Sequence, residues 1–227
     1  MIASISHDLK TPITSIKGYV EGIQDGVADT PEKMERYIQT IHTKANELDH
    51  LIEELFLFSK LDVSAVPFHF EKVDLRTFVQ FYIDELKDEL ERAEVEVQIQ
   101  DDGGDFYTKA DREHLRRVFA NVIQNAVNHL DKDEKRISIG LVRKSEYVMV
   151  SIKDNGKGIS EDALPYIFDR FYRADQSRQA STGGSGLGLA IVKRIMEEHG
   201  GETWAKSRLG EGTTIYLKFK PYEEKMG

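Results

Sequence analysis

Cysteine is absent from the sequence, and positively charged residues are in the minority. Without cysteine there can be no disulfide bond, no thiolate zinc site and no cysteine nucleophile. The 31 Lys and Arg residues are outnumbered by 40 Asp and Glu residues, which gives a formal net charge of −9. Because nucleic-acid binding depends on accumulated Lys and Arg, this balance predicts no nucleic-acid partner.

Long apolar runs are absent as well. A helix that spans a bilayer needs roughly 20 apolar residues, and no run in this sequence approaches that length. The N-terminus also lacks the pattern of a signal peptide. We therefore expect that this part of the protein does not span a membrane. The apolar pattern is already under way at Ile2 and Ile5 with no capping residue ahead, which indicates a piece of a longer protein.

Two apolar stripes, with alternating steps of four and three residues, occupy the first quarter of the sequence. The first runs from Leu9 to Val27 and the second from Met34 to Leu55. Between them, Gly26 is a helix stop, and Thr30, Pro31 and Glu32 form a helix start. The pattern predicts two long helices joined by a short turn, and therefore an antiparallel hairpin.

Two helices with narrow apolar stripes cannot enclose a core on their own. Two copies of the hairpin can, as a symmetric four-helix bundle. We therefore predict a homodimer through residues of about 1–62. The alternative is a hairpin that docks on the rest of its own chain.

From about Val66 the sequence alternates between strand and helix patterns. The predicted strands cover 68–73, 94–100, 137–143, 147–154, 202–206 and 213–220, and the predicted helices cover 75–92, 112–130 and 187–199. This order predicts an α/β sandwich with a mixed sheet. We expect an α+β chain with a helical domain at 1–65 and the sandwich domain at 66–222.

Three glycine-rich stretches lie in the second domain, at 154–158 (DNGKG), 183–188 (GGSGLG) and 210–213 (GEGT). Glycines let the backbone approach a ligand, and a helix N-terminus offers free N–H groups to phosphate. For the third stretch, a hairpin turn is an equally good explanation. The second stretch is similar to a dinucleotide fingerprint but follows a polar loop instead of a strand, so a Rossmann site is not predicted. A GxxxxGK[ST] P-loop is not present.

One predicted helix carries a polar ridge. Its members are Asn121, Asn125, Asn128 and His129. Asparagine is a poor helix former, so its repetition on one face needs a reason. The asparagines could cap neighbouring loops, or their carboxamide oxygens could ligate a hard cation such as Mg²⁺ beside phosphates. Positive charge for phosphates is available nearby from Arg170, Arg173 and Arg178.

The first helix contains the stretch SHDLKTP, Ser6–Pro12. At about 100° per residue, His7 falls on the face opposite the apolar stripe, and Thr11 lies on the same side one turn later. Pro12 has no N–H and crowds the carbonyl of Asp8, so we predict a bend in the helix beside His7.

Five stretches follow one another in the order SHDLKTP, NVIQNAVNH, DNGKGI, FDRFYRAD and GGSGLGLAIVK, over residues 6–193. They resemble the H, N, G1, F and G2 boxes of the sensor histidine kinases of two-component systems. The resemblance implies a dimeric four-helix bundle made by the hairpin, followed by a Bergerat-type (GHKL) ATP-binding sandwich.

The same resemblance implies roles for residues around the H box and the mobile loop of the family. His7 is implied to be the phosphoacceptor, and Asp8 the acid that orients and activates its imidazole. Thr11 occupies the position that helps a water molecule remove phosphate from the partner, which implies phosphatase activity. Arg173 is implied to reach the phosphates of the nucleotide.

ATP and Mg²⁺ are the cofactors that the resemblance implies. Asn125 matches the magnesium ligand and Asn121 its partner one turn earlier. Asp154 is implied to accept from the adenine amino group, and Gly156 and Gly158 to leave room for the base. The other implied nucleotide contacts are Asn128, His129, Ile159, Gly184, Ser185, Gly186, Leu187, Gly188 and Thr213. Asn128 and His129 depart from the basic and aromatic pair that commonly ends the N box, although His129 can stack on a base.

The function implied is an ATP-dependent protein-histidine autokinase that phosphorylates His7 and passes the phosphoryl group to an aspartate of a response regulator receiver domain. Two alternatives are an ATPase of the gyrase and Hsp90 kind and a catalytically silent nucleotide-binding scaffold. We expect the sequence to be the cytoplasmic portion of a bacterial sensor kinase whose full-length chain is anchored in the membrane.

Overall fold

The computed structural model describes residues 2–62, 67–174 and 186–224, with side chains of the first helix described from Leu9 onward. The chain begins with the predicted helical hairpin. Helix α1 spans Ile2–Gln24 and helix α2 spans Pro31–Asp62. Between them Gly26 adopts a left-handed φ of 73°. The hydroxyl of Thr30 then caps α2 by accepting from the N–H of Lys33 at 3.2 Å.

The apolar stripes of the hairpin are only partly covered within one chain. Ile13 is 49% exposed, Ile38 53% and Phe56 63%. Near the other end of α2, Leu55 and Leu57 pack against the core of the second domain. The hairpin thus contacts its own sandwich at one end and leaves apolar side chains exposed along the rest of its length.

The second domain is a mixed sheet with helices on one face. Its strands are β1 (Glu71–Asp74), β2 (Val95–Asp101), β3 (Tyr107–Ala110), β4 (Lys135–Arg143), β5 (Val148–Asp154), β6 (Glu202–Arg208) and β7 (Gly212–Phe219). Its helices are α3 (Leu75–Glu85), α4 (Lys87–Arg92), α5 (Arg112–His129) and α6 (Gly188–Glu198). The main sheet has the order β2-β4-β5-β7-β6, in which β2 and β4 are parallel and all other pairs antiparallel. Strands β1 and β3 form a separate antiparallel pair.

The core lies between the sheet and helices α5 and α6. Alternate residues of β5, from Val148 to Ile152, are buried, and so are Phe119 of α5 and Ile191 of α6. These period-two and helical patterns are the ones from which the sandwich was predicted, and the mixed sheet is confirmed. In the described part of the chain, no helix is both long and apolar enough to cross a membrane.

Most element bounds agree with the prediction within two residues, and three differences are larger. The strand predicted at 68–73 begins at Glu71. Phe68 and Phe70 stack on each other and contact the ring of His199 edge-on instead of pairing in a sheet. The helix predicted at 75–92 is interrupted at Leu86, which separates α3 from α4. Strand β3 was not predicted, because its four residues carry too short an alternation to stand out.

Candidate functional site

The last residue of β5, Asp154, is a buried carboxylate. Its Oδ1 accepts from the backbone N–H of Gly156 at 2.9 Å and of Thr213 at 3.2 Å. Burial raises the pKa of Asp154 above its usual value, and the two hydrogen bonds and the nearby His129 oppose that shift. Because both bonds use Oδ1, Oδ2 is the oxygen that can accept from a ligand.

The glycines after Asp154 allow three backbones to meet. A Cβ at Gly156 would collide with the carbonyl oxygen of His129 at the end of α5. Gly158 has a left-handed φ of 70°, and a Cβ there would collide with the carbonyl of Arg208. Close packing of the backbone therefore explains why Gly156 and Gly158 are glycines. This reason differs from the one that the resemblance implied, which was room for the base.

Further hydrogen bonds tie this loop to its neighbours. The N–H of Lys157 donates to the carbonyl of His129 at 3.1 Å, and the N–H of Gly210 donates to the carbonyl of Lys157 at 2.7 Å. The loop is therefore held between the end of α5 and the turn that joins β6 to β7.

Ser207 of β6 joins the same network, although no sequence motif includes it. Its Oγ accepts from the N–H of Ile159 at 2.8 Å and donates to the carbonyl of Gly212 at 2.9 Å. It also lies 2.8 Å from the hydroxyl oxygen of Thr213. No signal in the sequence marks Ser207, because only the pairing of β6 with β7 brings it to the site.

A second group of predicted residues surrounds the start of α6. The side-chain N–H of Asn121 donates to the carbonyl of Gly188 at 3.2 Å, which fixes this helix start against α5. Leu187 is buried beneath it. Gly186 has a φ of 70° and accepts from the N–H of Phe171 at 2.9 Å, and Arg173 follows two residues later with a half-buried side chain.

The polar ridge of α5 connects the two groups. Asn121 and Asn125 are half-buried, whereas Asn128 and His129 are exposed. The carboxamide oxygen of Asn128 accepts from Gln124 at 3.0 Å. From Asn121 to His129 the helix rises about 12 Å. The site therefore has two ends, a buried carboxylate at one and a glycine-containing helix start at the other.

Several predicted residues lie outside what the structure describes. The side chains of His7 and Asp8 are among them, as are Arg178, Gly184 and Ser185. Thr11 is exposed and Pro12 is buried, and α1 continues through Pro12. The predicted bend at Pro12 stays a prediction.

The buried Asp154, the glycine-containing loops and the polar ridge of α5 together are suited to bind a ligand. Residues 110–223 match the family of histidine kinase-, DNA gyrase B-, and HSP90-like ATPases, which implies a site for ATP. Residues 1–63 match the His Kinase A (phospho-acceptor) domain. With both domains in this order, the chain belongs to the sensor histidine kinases of two-component systems.

Curated relatives agree with this assignment. The sensor histidine kinase WalK of Bacillus subtilis (strain 168) is 32% identical over 224 residues, which cover 98% of this chain and 36% of the relative. The sensor protein kinase WalK of Staphylococcus haemolyticus (strain JCSC1435) is 33% identical over 218 residues, which cover 95% of this chain and 35% of the relative. This chain thus spans about a third of the length of these relatives.

Solved structures share the fold. The histidine kinase AdeS of Acinetobacter baumannii superposes with a TM-score of 0.78 at 22% identity, covering 96% of this chain and 98% of AdeS. The histidine kinase ThkA, solved in complex with the response regulator protein TrrA, superposes with a TM-score of 0.80 at 23% identity, covering 99% of this chain and 62% of ThkA. At these identities the likeness concerns the fold.

Proposed function

We propose that this chain is an ATP-dependent protein-histidine autokinase whose phosphoacceptor is His7. The observation that carries the proposal is the presence, in one chain, of a phospho-acceptor domain match that contains His7 and a buried Asp154 site in a matching ATPase domain. Neither feature alone calls for a kinase, because the ATPase family also includes proteins without a phosphoacceptor histidine.

ATP is the substrate in this proposal, with its base at the Asp154 end of the site and its phosphates at the start of α6. Asp154 accepts from the adenine amino group, and His129 stacks on the base. The N–H groups at the start of α6 and Arg173 receive the phosphates. The other nucleotide contacts in this proposal are Ile159, Gly184, Ser185, Gly186, Leu187, Gly188, Asn128 and Thr213.

Mg²⁺ fits the residues at the phosphate end. Asn121 uses its N–H on Gly188, which leaves its carboxamide oxygen as a ligand atom, and Asn125 follows one turn later. Carboxamide oxygens are hard ligands, and magnesium is commonly held by few protein atoms together with substrate phosphates. When bound, Mg²⁺ supplies charge neutralisation at the phosphates.

The phosphoryl transfer is a single displacement at the γ-phosphorus. A lone pair on one imidazole nitrogen of His7 forms the new N–P bond, while the P–O bond to ADP breaks and its electron pair leaves with ADP. Asp8 accepts the proton on the other imidazole nitrogen in a hydrogen bond and so orients the ring. Little covalent work falls to the protein beyond this positioning.

The phosphohistidine then passes its phosphoryl group to an aspartate of a response regulator receiver domain. ThkA, which has the same fold, was solved in complex with a response regulator. Thr11 lies one turn after His7 on α1 and is exposed, which suits a second role in removing phosphate from the regulator.

Three further points of organisation belong to the proposal. The exposed apolar residues of the hairpin form a homodimer as a four-helix bundle. The domain boundary falls near residue 65, between the end of α2 and the start of β1. The full-length protein is anchored in a membrane with this part in the cytoplasm, which accords with relatives about three times as long that are named sensor kinases.

Incubation with γ-labelled ATP and Mg²⁺ tests the proposal. We expect label that is lost in acid and stable in base on the parent protein, and none on His7→Gln. His42→Gln, which changes an exposed histidine of α2, is the matched control and keeps its label. Label on His7→Gln at the parent level contradicts the proposal. Parent protein that hydrolyses ATP without labelling, at a rate that His7→Gln shares, indicates an ATPase of the gyrase and Hsp90 kind.

A further inference from the structure

Ser207 lies outside all five sequence motifs, yet its hydroxyl contacts both loops at the base end of the site. Three groups surround its Oγ: the N–H of Ile159 at 2.8 Å, the carbonyl of Gly212 at 2.9 Å and the hydroxyl of Thr213 at 2.8 Å. Its side chain is half-buried, so these bonds are partly shielded from water. Ser207 therefore links the loop after Asp154 to the turn before β7.

Only one arrangement of hydrogen atoms satisfies all three contacts. A serine hydroxyl has one proton to donate and two lone pairs that accept. The N–H of Ile159 can only donate, so it takes one lone pair. The carbonyl of Gly212 can only accept, so it takes the proton. The remaining contact must then be a bond in which Thr213 is the donor.

This assignment determines whether the hydroxyl of Thr213 can donate or accept a hydrogen bond with a ligand. Its hydroxyl proton is directed at Ser207, so the hydroxyl offers only lone pairs to a ligand. The N–H of Thr213 donates to Oδ1 of Asp154 at 3.2 Å, so the two side chains start from adjacent positions on neighbouring strands. The site thus presents two hydrogen-bond acceptors, a carboxylate and a hydroxyl held in one orientation.

We propose that Ser207 is a positioning residue that sets the base selectivity of the site through Thr213. With the 6-position of a purine at Asp154, as proposed above, two adjacent acceptors favour the amino group of adenine and disfavour the carbonyl of guanine. Adenine therefore binds in preference to guanine. The inference rests on the proposed function, since it requires that Asp154 receives the base of a nucleotide.

Removal of the Ser207 hydroxyl has a defined consequence. In Ser207→Ala the hydroxyl of Thr213 can rotate and become a donor, and the N–H of Ile159 and the carbonyl of Gly212 lose their partner. The rotated hydroxyl then directs a proton instead of a lone pair at the amino group of adenine, and the loss of such an acceptor weakens ATP binding by about tenfold. We expect that loss for ATP, while GTP, whose base presents a carbonyl, loses nothing or gains.

The experiment measures the affinities for ATP and GTP by displacement of a fluorescent nucleotide, together with kcat and KM for autophosphorylation. Ser207→Thr keeps the hydroxyl and should retain the parent preference for ATP. Thr203→Val is the matched control: the hydroxyl of Thr203 donates to the carbonyl of Tyr216 at 2.9 Å, between the same two strands but away from the site. We expect KM for ATP to rise in Ser207→Ala with kcat within about twofold of the parent, and neither to change in Thr203→Val.

The outcomes separate this inference from the proposed function. ATP affinity in Ser207→Ala equal to that of the parent overturns the role of Ser207. An equal loss for ATP and GTP, or the same loss in Thr203→Val, shows a structural contribution only and also overturns it. A parent protein that binds neither nucleotide overturns the proposed function, and this inference with it.

Discussion

Among single residues, Asp154 carries a charge where water is largely excluded. Burial raises its pKa, while the N–H groups of Gly156 and Thr213 oppose the shift. A raised pKa in the folded protein means that the ionised form is less favourable there than in the unfolded chain. The ionised carboxylate therefore lowers the stability of the ligand-free protein at neutral pH. A group that costs stability in this way has a role in binding a ligand.

We predict that Asp154→Asn binds ATP at least about tenfold more weakly than the parent, because an amide N–H replaces the acceptor that faces the adenine amino group. The thermal midpoint should stay the same or rise, since the substitution removes a desolvated charge. Titration calorimetry and thermal unfolding measure the two effects. Asp162→Asn, an exposed change in the same region, is the control. Unchanged ATP affinity in Asp154→Asn contradicts this assignment.

The sequence predicted part of this site because five motifs occur in a fixed order. Asp154, Gly156 and Thr213 are in contact, and Asn121 reaches the start of α6. Ser207 could not be predicted, because its role depends on which strand pairs with β7. The spacing along α5 indicated that the asparagines share one face of the helix, but it did not indicate how deeply each side chain is buried. Asn128, for example, is exposed.

At the scale of elements, the start of α5 and the end of α6 hold the segment before β1. Asp111 accepts from the N–H of His69 at 2.7 Å and of His114 at 3.0 Å. Its own N–H donates to Nε2 of His199 at 3.1 Å, and Nδ1 of His199 contacts the carbonyl of Ile195 at 2.7 Å. An accepting Nε2 requires a neutral His199 with its proton on Nδ1.

The pKa values of this cluster follow from its bonds. Burial lowers the pKa of His199 below its usual 6.5. Burial alone would raise the pKa of Asp111, but the N–H groups of His114 and His69 lower it to about 2. Asp111 therefore stabilises the fold above its usual pKa of 3.8, and that contribution is lost only as the pH falls towards about 2.

We predict that stability decreases as the pH falls below about 6.5, because the unfolded chain protonates His199 before the folded chain does. Thermal midpoints between pH 7.5 and 5.5 measure this slope. It should become shallower in His199→Gln, which has no proton to gain, and stay the same in His42→Gln on the exposed face of α2. Equal slopes in the parent and in His199→Gln contradict the prediction.

The same cluster explains an error of sequence interpretation. Phe68 and Phe70 alternate with polar residues as a strand would, but Phe68 lies 4.2 Å from the ring of His114 and Phe70 lies 5.1 Å from that of His199. Aromatic contacts between distant segments leave no local signature. Elements with a clear helical pattern, such as α5 and α6, were predicted within one residue at each end.

At the scale of the whole molecule, the hairpin leaves apolar side chains such as Ile38 exposed to solvent within one chain. We predict a dimer of two 25.9 kDa chains at micromolar concentration. Ile38→Asp should shift it to monomer, because a charge replaces a side chain that the partner would bury. Sedimentation velocity measures both species.

The control is Phe81→Asp, which removes a 67% exposed aromatic side chain from the second domain and should leave the dimer intact. A parent protein that sediments as a monomer contradicts the prediction, and so does Ile38→Asp that remains a dimer. The alternative from the sequence, a hairpin docked on its own chain, applies to the end of α2, where Leu55 and Leu57 meet the sandwich.

Strand β3 lies between the first strand of the second domain, β1, and the segment that follows its last strand, β7. Thr108 is paired with Val73 of β1 on one side and with Pro221 on the other. Neighbouring strands are about 4.8 Å apart, so the two attachment points lie within about 10 Å of each other. The first and last segments of the second domain therefore lie close together, on either side of β3. We expect that a short linker between the two ends, with new termini opened elsewhere, gives a circular permutant that keeps the main sheet.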